Sequence, residues 1–465
     1  NFGSYTFANL DDFLNGNNAT NYVRSYSLVD EASGDKTKAA ADFNAMQIGL
    51  YAQDEWAICS KFTLTGGIRV DVPAIVNDPK VDVVFNDTIA AFSSKYPVAE
   101  GIRAGKAPDG QLMLSPRVGF EYDMKGNRKS IIRGGIGIFT SRIPFVWPGA
   151  MFTNNGLTIG RVTEADLGGS VAFRPDVNNQ YTNPNFAIPS GEVDLFTKDF
   201  KYPQVFKTNL AWDQKFAHGF ELSLEGLFTK TLNNIVYTQV NSDPTVKFNW
   251  TGTPDTRPVY VNKNLVNIYG GGVYVASNTN KGYTYNLTAS VSKEFGGSLD
   301  LYVAYNYGDG KATQEGTSSQ NSSQWRGQVG INGRNFPVLG RTDFAIGHRV
   351  LTNLTFHHNW NKALRTSISV FYNGESGDAF SYVFAGGSSA QNINGERGST
   401  GRNRTLIYVP KDQSEIHLVD YTAGGTTVTA AEQWTNFNAL IESDKGLSDR
   451  RGQYSEKNGS FAPFN

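Results

Sequence analysis

The sequence predicts an all-β chain folded as part of a transmembrane antiparallel β-barrel with long loops on its extracellular side. Three observations carry that reading: segments of about ten residues in which apolar and polar side chains alternate, short turns joining them in pairs, and aromatic residues where strand meets turn.

The first pair starts at Met46. Met46, Ile48, Leu50 and Ala52 alternate with Gln47, Gly49, Tyr51 and Gln53. After a short link at Cys59 and Ser60, Phe62, Leu64, Ile68 and Val70 alternate with Thr63, Thr65, Arg69 and Asp71, so the two runs read as a hairpin. A second copy sets Val118, Phe120 and Tyr122 against Ile132, Ile136 and Ile138 around a turn at Lys125-Gly126-Asn127. In the third, Thr208, Leu210 and Trp212 precede Ala217-His218-Gly219, and Phe220, Leu222, Leu224 and Phe228 follow it. The fourth runs from Tyr285 to Val291, turns at Gly296-Gly297-Ser298 and returns through Leu299, Leu301, Val303 and Tyr305. The fifth joins Val350–Phe356 to Ile368–Tyr372 through Trp360-Asn361-Lys362.

Between hairpins the connections are long, about 40 residues from Pro73 to Gly110 and more from Arg142 to Tyr202. Short turns on one side and long loops on the other orient a barrel, with the turns facing the periplasm. Trp56, Trp212, Phe216, Phe295 and Trp360 mark the turn-side rim, where a ring with one polar edge favours the headgroup boundary. Ala430 to Asp444 departs from the alternation: Trp434, Phe437, Leu440 and Ile441 stand at helical spacing and predict a short helix on an extracellular loop.

Composition agrees. Among 465 residues, 49 Gly, 30 Phe, 22 Tyr and 7 Trp stand beside 4 Met, 5 His and 1 Cys, a β-rich profile. The mean hydropathy of -0.38 fits strands that show lipid only every second residue. A net charge of -1 argues against nucleic acid as a partner. The lone Cys59 has no partner for an internal disulfide and reads as an inert small residue in a turn.

Enzymatic and metal chemistry finds little support. Gly134-Gly135-Ile136-Gly137 lacks the third glycine and the helix of a dinucleotide loop and reads as relief of crowding in a curved strand. His357 and His358 point to opposite faces of a strand, and His348 shares a face with His358 only at long range. Glu221 and Glu225 share a face about 13 Å apart along the strand, wider than the roughly 5–9.5 Å of a glycosidase pair. No catalytic residue, metal ligand or cofactor is expected.

Several stretches carry a family resemblance: Phe2-Gly3-Ser4-Tyr5-Thr6-Phe7, Gly49-Leu50-Tyr51-Ala52-Gln53-Asp54-Glu55-Trp56, Gly67-Ile68-Arg69-Val70-Asp71, Leu114-Ser115-Pro116-Arg117-Val118-Gly119-Phe120 and Ile132 to Phe139. Phe371 to Gly377 and Asp449 to Tyr454 join them. These resemble the barrel of TonB-dependent receptors of Bacteroidota, in the SusC-like superfamily and particularly the Oar-like group that begins with a carboxypeptidase-regulatory-like domain. The resemblance implies a barrel of about 22 strands around an N-terminal plug. Residues 1–465 are then expected to supply about half of one barrel domain, the plug and the last strands lying outside this chain.

It also implies active import of a ligand (glycan, peptide, siderophore or similar) across the outer membrane of a Gram-negative cell. The implied partners are outer-membrane lipid, the protein's own plug domain and the TonB-ExbB-ExbD complex, with a surface lipoprotein as a further candidate. Arg69, Asp71, Arg117, Glu121, Arg133, Glu221 and Glu225 form a lumen-facing set expected to meet the plug or water ahead of the ligand path. On the loops, Phe145, Trp147, Phe152 and Tyr181 are candidate ligand contacts, since flat rings suit sugars and apolar groups alike. Two alternatives stay open: an unplugged outer-membrane pore or adhesin-type barrel, and a secreted β-sandwich or propeller enzyme that is soluble without detergent.

Overall fold

A computed structural model describes residues 3–29, 39–183, 192–384, 393–397 and 404–464. In chain order its main elements are β1 (Ala45–Cys59), β2 (Phe62–Ile75), α1 (Val83–Ser93), β3 (Met113–Asp123), β4 (Ser130–Thr140), α2 (Val146–Thr153), β5 (Val193–Phe196) and β6 (Gln204–Lys215). There follow β7 (Phe220–Gln239), β8 (Val273–Thr279), β9 (Gly282–Phe295), β10 (Leu299–Ala312), α3 (Asn321–Gly327), β11 (Gly347–Asn359), β12 (Arg365–Glu375) and α4 (Ala430–Ser443). A separate small sheet pairs Ser4–Thr6 with Asn21–Ser27 and the latter with Ile159–Thr163.

Ten strands form one antiparallel wall in the order β1-β2-β3-β4-β6-β7-β9-β10-β11-β12. All five expected hairpins are present, and each wall strand pairs with the next wall strand along the chain. Register explains why the alternation survives across the whole sheet. Leu224 stands opposite Trp212 on one side and Ala289 on the other, and Ala289 stands opposite Tyr305, so one face stays apolar from strand to strand. Ile48, Leu224 and Val303 are 54, 38 and 37% exposed, so no second sheet covers that face as a sandwich would. Cys59 closes β1 and pairs with Phe62 rather than lying in the turn itself.

The apolar face carries two aromatic belts. Trp56, Trp212, Phe216, Phe295 and Trp360 all fall at the turn side, joined on the same face by Phe62, Tyr122, Phe220 and Phe356. Lys293 lies between two of them, its ammonium 4.0 Å from the Phe220 ring centroid and 4.5 Å from that of Phe295, which turns the charge toward the interface. Toward the loops stand Phe206, Phe228, Tyr285 and Tyr307. From Leu299 to Tyr307 the strand rises about 27 Å, and a tilt of about 40° brings this to about 21 Å, close to the height of an outer-membrane apolar band.

The long connections fold into a body of their own, a crown above the wall that strand alternation alone did not reveal. Asp82 caps α1 by accepting from the Phe85 amide at 3.0 Å, and Phe85, Ile89 and Phe92 then bury one helical face. They pack with Tyr96, Val193, Leu195, Tyr269, Val273 and Val275, each large apolar side chain contributing about 1.5–3 kcal/mol by leaving water. The strand β7 links wall to crown. Its first half lies between β6 and β9, the register slips between Thr231 and Asn233, and its second half pairs with β8, which in turn pairs in parallel with β5. The expected helix is present as α4, started by a reciprocal cap between Thr429 and Glu432, with Ile441 buried.

Candidate functional site

The inner face of the wall is the candidate site. Its residues follow from the same register: Thr65, Gly119, Gly135 and Asn209 lie in one row across β2, β3, β4 and β6, and Glu121, Arg133, Ala211 and Glu225 form the next. All seven charged residues expected at the lumen lie on this face.

Arg133 is the hub. Its Nε donates to Asp213 Oδ2 at 2.9 Å, and its Nη2 lies 3.5 Å from Glu225 Oε2. Glu225 is two strands away, a gap of about 10 Å, and the guanidinium can cross it because the intervening residue is Ala211, only 1% exposed. Asp213 also accepts from Ser223 Oγ at 2.6 Å, and Asn209 Nδ2 donates to Glu225 Oε1 at 3.3 Å.

Arg69 and Asp71 form a separate clasp on β2. Two positions apart on one face, they make two parallel hydrogen bonds of 2.7 Å, and Gln47 donates to the same carboxylate at 3.0 Å. Gly49 stands opposite Asp71, and a Cβ there would come within 2.5 Å of Arg69 Nη2, so the glycine makes room for the clasp. Glu121 instead pairs with Arg128 of the turn at 2.9 Å, and Glu221 with Lys215 at 2.8 Å. Arg117 lies with its guanidinium 5.3 Å from the Phe139 ring centroid. The structure thus joins Arg133 to Glu225, and holds Arg69–Asp71, Arg117, Glu121 and Glu221 in other contacts. Sequence reading missed Asp213, Lys215 and Asn209, although the odd positions of β6 were already implied by the outward Leu210 and Trp212.

Between the clasp and the hub the inner face carries four glycines. Gly119 and Gly135 stand directly opposite each other, with Gly67 and Gly137 one row away. Gly119 lines a cavity of about 510 Å³ together with Glu55, Thr63, Thr65, Glu121, Arg133 and Asn209. A Cβ at Gly119 would meet nothing nearer than the Gly134 carbonyl at 3.6 Å. The backbone there could carry a side chain, yet its amide plane is left open to whatever lies inside the barrel.

The four loop aromatics occupy different settings. Phe145, 56% exposed, begins α2. Trp147 is buried in a crown cluster with Met151, Phe196, Tyr237, Tyr274 and Trp325, and its indole donates to the Ser318 carbonyl at 2.8 Å. Phe152 stacks on Phe43 at 5.0 Å, and Tyr181 packs beside the N-terminal sheet with the Arg174 guanidinium 3.6 Å from its ring centroid. Of the four, Phe145 alone presents an exposed ring.

One crown carboxylate sets a pH dependence. Asp194 on β5 is 1% exposed and accepts from Asn154 Nδ2 at 2.7 Å. Burial, reinforced by the nearby Glu192 carboxylate, holds its acid group well above the ordinary carboxylate range. A raised value in the folded state means the contribution is complete at low pH and is lost as pH rises through that value. Asp194→Asn removes this dependence: amide exchange over Val193–Phe196 should quicken less with rising pH in the variant than in the parent. Equal profiles would contradict the assignment.

Among the described residues, no group of three or more His, Cys, Asp and Glu is placed to hold a metal ion, and no helix is long and apolar enough to cross a membrane. A family model described as an outer membrane beta barrel domain matches residues 1–439. No curated protein matches the chain. Among solved structures, the outer membrane transporter YddB from Escherichia coli is 12% identical with a TM-score of 0.40, over 75% of this chain and 35% of that one. A mutant of the ferric enterobactin receptor PfeA from Pseudomonas aeruginosa is 11% identical with a TM-score of 0.37, over 72% and 33%. The FrpB iron transporter from Neisseria meningitidis is 10% identical with a TM-score of 0.35, over 77% and 40%. The chain thus spans well under half the length of each.

Proposed function

The chain belongs to the outer membrane beta-barrel domain family, and from that premise we propose that its ten-stranded wall is part of a transporter importing a ligand across the Gram-negative outer membrane. The polar inner face carries the proposal. Its paired charges of both signs and its glycine-rich rows suit the docking of a polar, hydrogen-bonding body inside the barrel. In this reading that body is the protein's own plug domain, and movement of the plug is driven by TonB-ExbB-ExbD. Ligand is captured on the crown, Phe145 being the best-presented of the four loop rings. A glycan, a peptide and a siderophore all fit an aromatic and polar crown, and a surface lipoprotein would join for the first two. The lumen-facing residues then act by holding the plug: Arg133 with Asp213 and Glu225 at the turn side, and the Arg69–Asp71 clasp toward the loops. No bond in the ligand is broken.

Gly119→Trp in the full-length protein tests this. Its Cβ is accommodated, so the barrel should keep its heat-dependent migration, while the indole fills the trough at a cost of about 1–3 kcal/mol to a packed partner. Such a loss corresponds to roughly a five- to 150-fold fall in docking. Ligand uptake by cells carrying the variant should fall, and the variant should pass small-ion current in planar bilayers where the parent does not. A parent that conducts freely, or a variant with full uptake and no current, overturns the plugged-transporter reading and favours an open pore or adhesin-type barrel.

A further inference from the structure

Inside the wall, near its loop end, two cations stand without a counter-charge. Arg117 on β3, Gly137 on β4 and Lys207 on β6 lie in one row of the inner face, so the two cationic side chains flank a residue that has none. The next inner residue toward the loops on β4 is Phe139. Its ring centroid lies 5.3 Å from the Arg117 guanidinium carbon and 5.9 Å from Lys207 Nζ.

Their neighbours differ. Arg69, Arg133 and Lys215, on the same face of β2, β4 and β6, hold carboxylates at 2.7, 2.9 and 2.8 Å. Among the described residues no carboxylate pairs with Arg117 or Lys207, and both charges turn to the Phe139 ring instead. Such a ring attracts each cation by only about 0.5–1 kcal/mol at an exposed site, and it draws two like charges toward one another. An anion placed between them removes that repulsion.

The arrangement requires Gly137. A Cβ there would lie 3.0 Å from Arg117 Cβ and 3.2 Å from Phe139 Cε2, so the glycine lets both side chains lie against β4. Neighbouring strands are about 4.8 Å apart, which puts the Cα atoms of Arg117 and Lys207 about 10 Å from each other. Side chains of this length close such a gap around one oxyanion. On its other side Arg117 borders a cavity of about 200 Å³ with Tyr51, Gln53, Gly67 and Arg69, which leaves room beside it. A guanidinium fork matches a carboxylate or phosphate through two parallel hydrogen bonds, and an ammonium adds a point charge.

We propose that Arg117 and Lys207, with Phe139 beside both, form an anion site at the outer mouth of the barrel that takes the carboxylate or phosphate group of a small solute entering from the loop side. Height fixes the source. Lys207 adjoins Phe206 of the loop-side belt, and Phe139 is three residues from Arg142, where β4 has ended and the crown connection begins. Arg133, its guanidinium already held by two carboxylates, lies four residues deeper along β4, about 13 Å. An entering anion therefore meets the free pair first, and Phe139, 37% exposed, faces any apolar part of the same solute. The inference needs only that this face lines the lumen, with or without a plug.

Phenylglyoxal footprinting of the full-length protein in detergent tests this, with modification at each arginine read by peptide mass spectrometry. In buffer free of multivalent anions Arg117 should react readily. Citrate, and separately inorganic phosphate, should slow it roughly tenfold near saturation relative to sodium chloride of equal ionic strength, while Arg128 in the turn keeps its rate. Lys207→Gln leaves Arg117 in place and should raise the half-protecting concentration roughly tenfold, the value of one charged contact, with heat-dependent migration unchanged. Protection no greater than with sodium chloride, or undiminished in Lys207→Gln, overturns the proposal. An Arg117 that fails to react before any anion is added also overturns it, by giving the pair to a carboxylate of the protein itself, an outcome that leaves the plugged-transporter reading standing.

Discussion

Val303→Arg will lower the stability of the folded barrel in lipid by about 2–4 kcal/mol, the cost of a guanidinium at the bilayer midplane. Val303 sits on the apolar face of β10, halfway between Leu299 at the turn side and Tyr307 at the loop side, flanked by Val291 and Thr352 on neighbouring strands. Ser290, one residue from Val291, faces inward beside Ser223 and Ala304. Ser290→Arg should therefore change stability by less than about 0.5 kcal/mol, as an open polar position does. Urea titration of the full-length protein in vesicles, read by heat-dependent migration, separates the two. Equal losses would mean that the face assignment is wrong, and with it the wall.

The second large effect lies in the crown. Arg257 is fully buried, clasps Asp255 through Nε and Nη2 at 2.7–3.0 Å, and lies within 4.8–5.3 Å of the ring centroids of Phe384, Tyr454 and Trp250. Its Nη1 also donates to the Leu406 carbonyl at 2.9 Å, tying connections that lie 149 positions apart. Arg257→Ala leaves the Asp255 charge buried without its counter-ion, which costs about 3–5 kcal/mol. The crown should open to protease while the wall, which does not depend on this contact, keeps its migration. Asp255→Leu together with Arg257→Met removes both charges and should recover part of the loss. If Arg257→Ala resists protease as the parent does, the cluster is not what holds these connections.

The sequence and the structure agree where structure is local. A strand's side chains alternate at every second position, so Ile48, Leu50 and Ala52 had to share a face and Arg69 and Asp71 had to share the other, whatever the strands beside them. Short turns such as Ala217-His218-Gly219, where His218 and Gly219 take positive φ, likewise announce their hairpins from a few residues. The helix α4 was legible because its cap and its apolar spacing lie within one short stretch.

The crown was illegible for the converse reason. Phe85, Ile89 and Phe92 do show helical spacing after the capping Asp82, a signal available in the sequence. Nothing near them indicates that their partners are Val193, Tyr269 and Val273. The same holds for Trp147, which looks like any loop aromatic in sequence and is packed inside a cluster in the fold.

By itself, then, the sequence determined which faces of the wall are apolar, where its turns lie and how many hairpins this stretch contains, because each is set by contacts two to four residues apart. Only the tertiary structure decided that Arg133 reaches over Ala211 to Glu225, that Gly119 meets Gly135, and that the loops close into a crown. Those contacts depend on the relative shift of whole strands and on packing between distant segments. A one-dimensional pattern of alternation is the same for many such shifts, and burial and hydrogen bonding across the sheet select one of them.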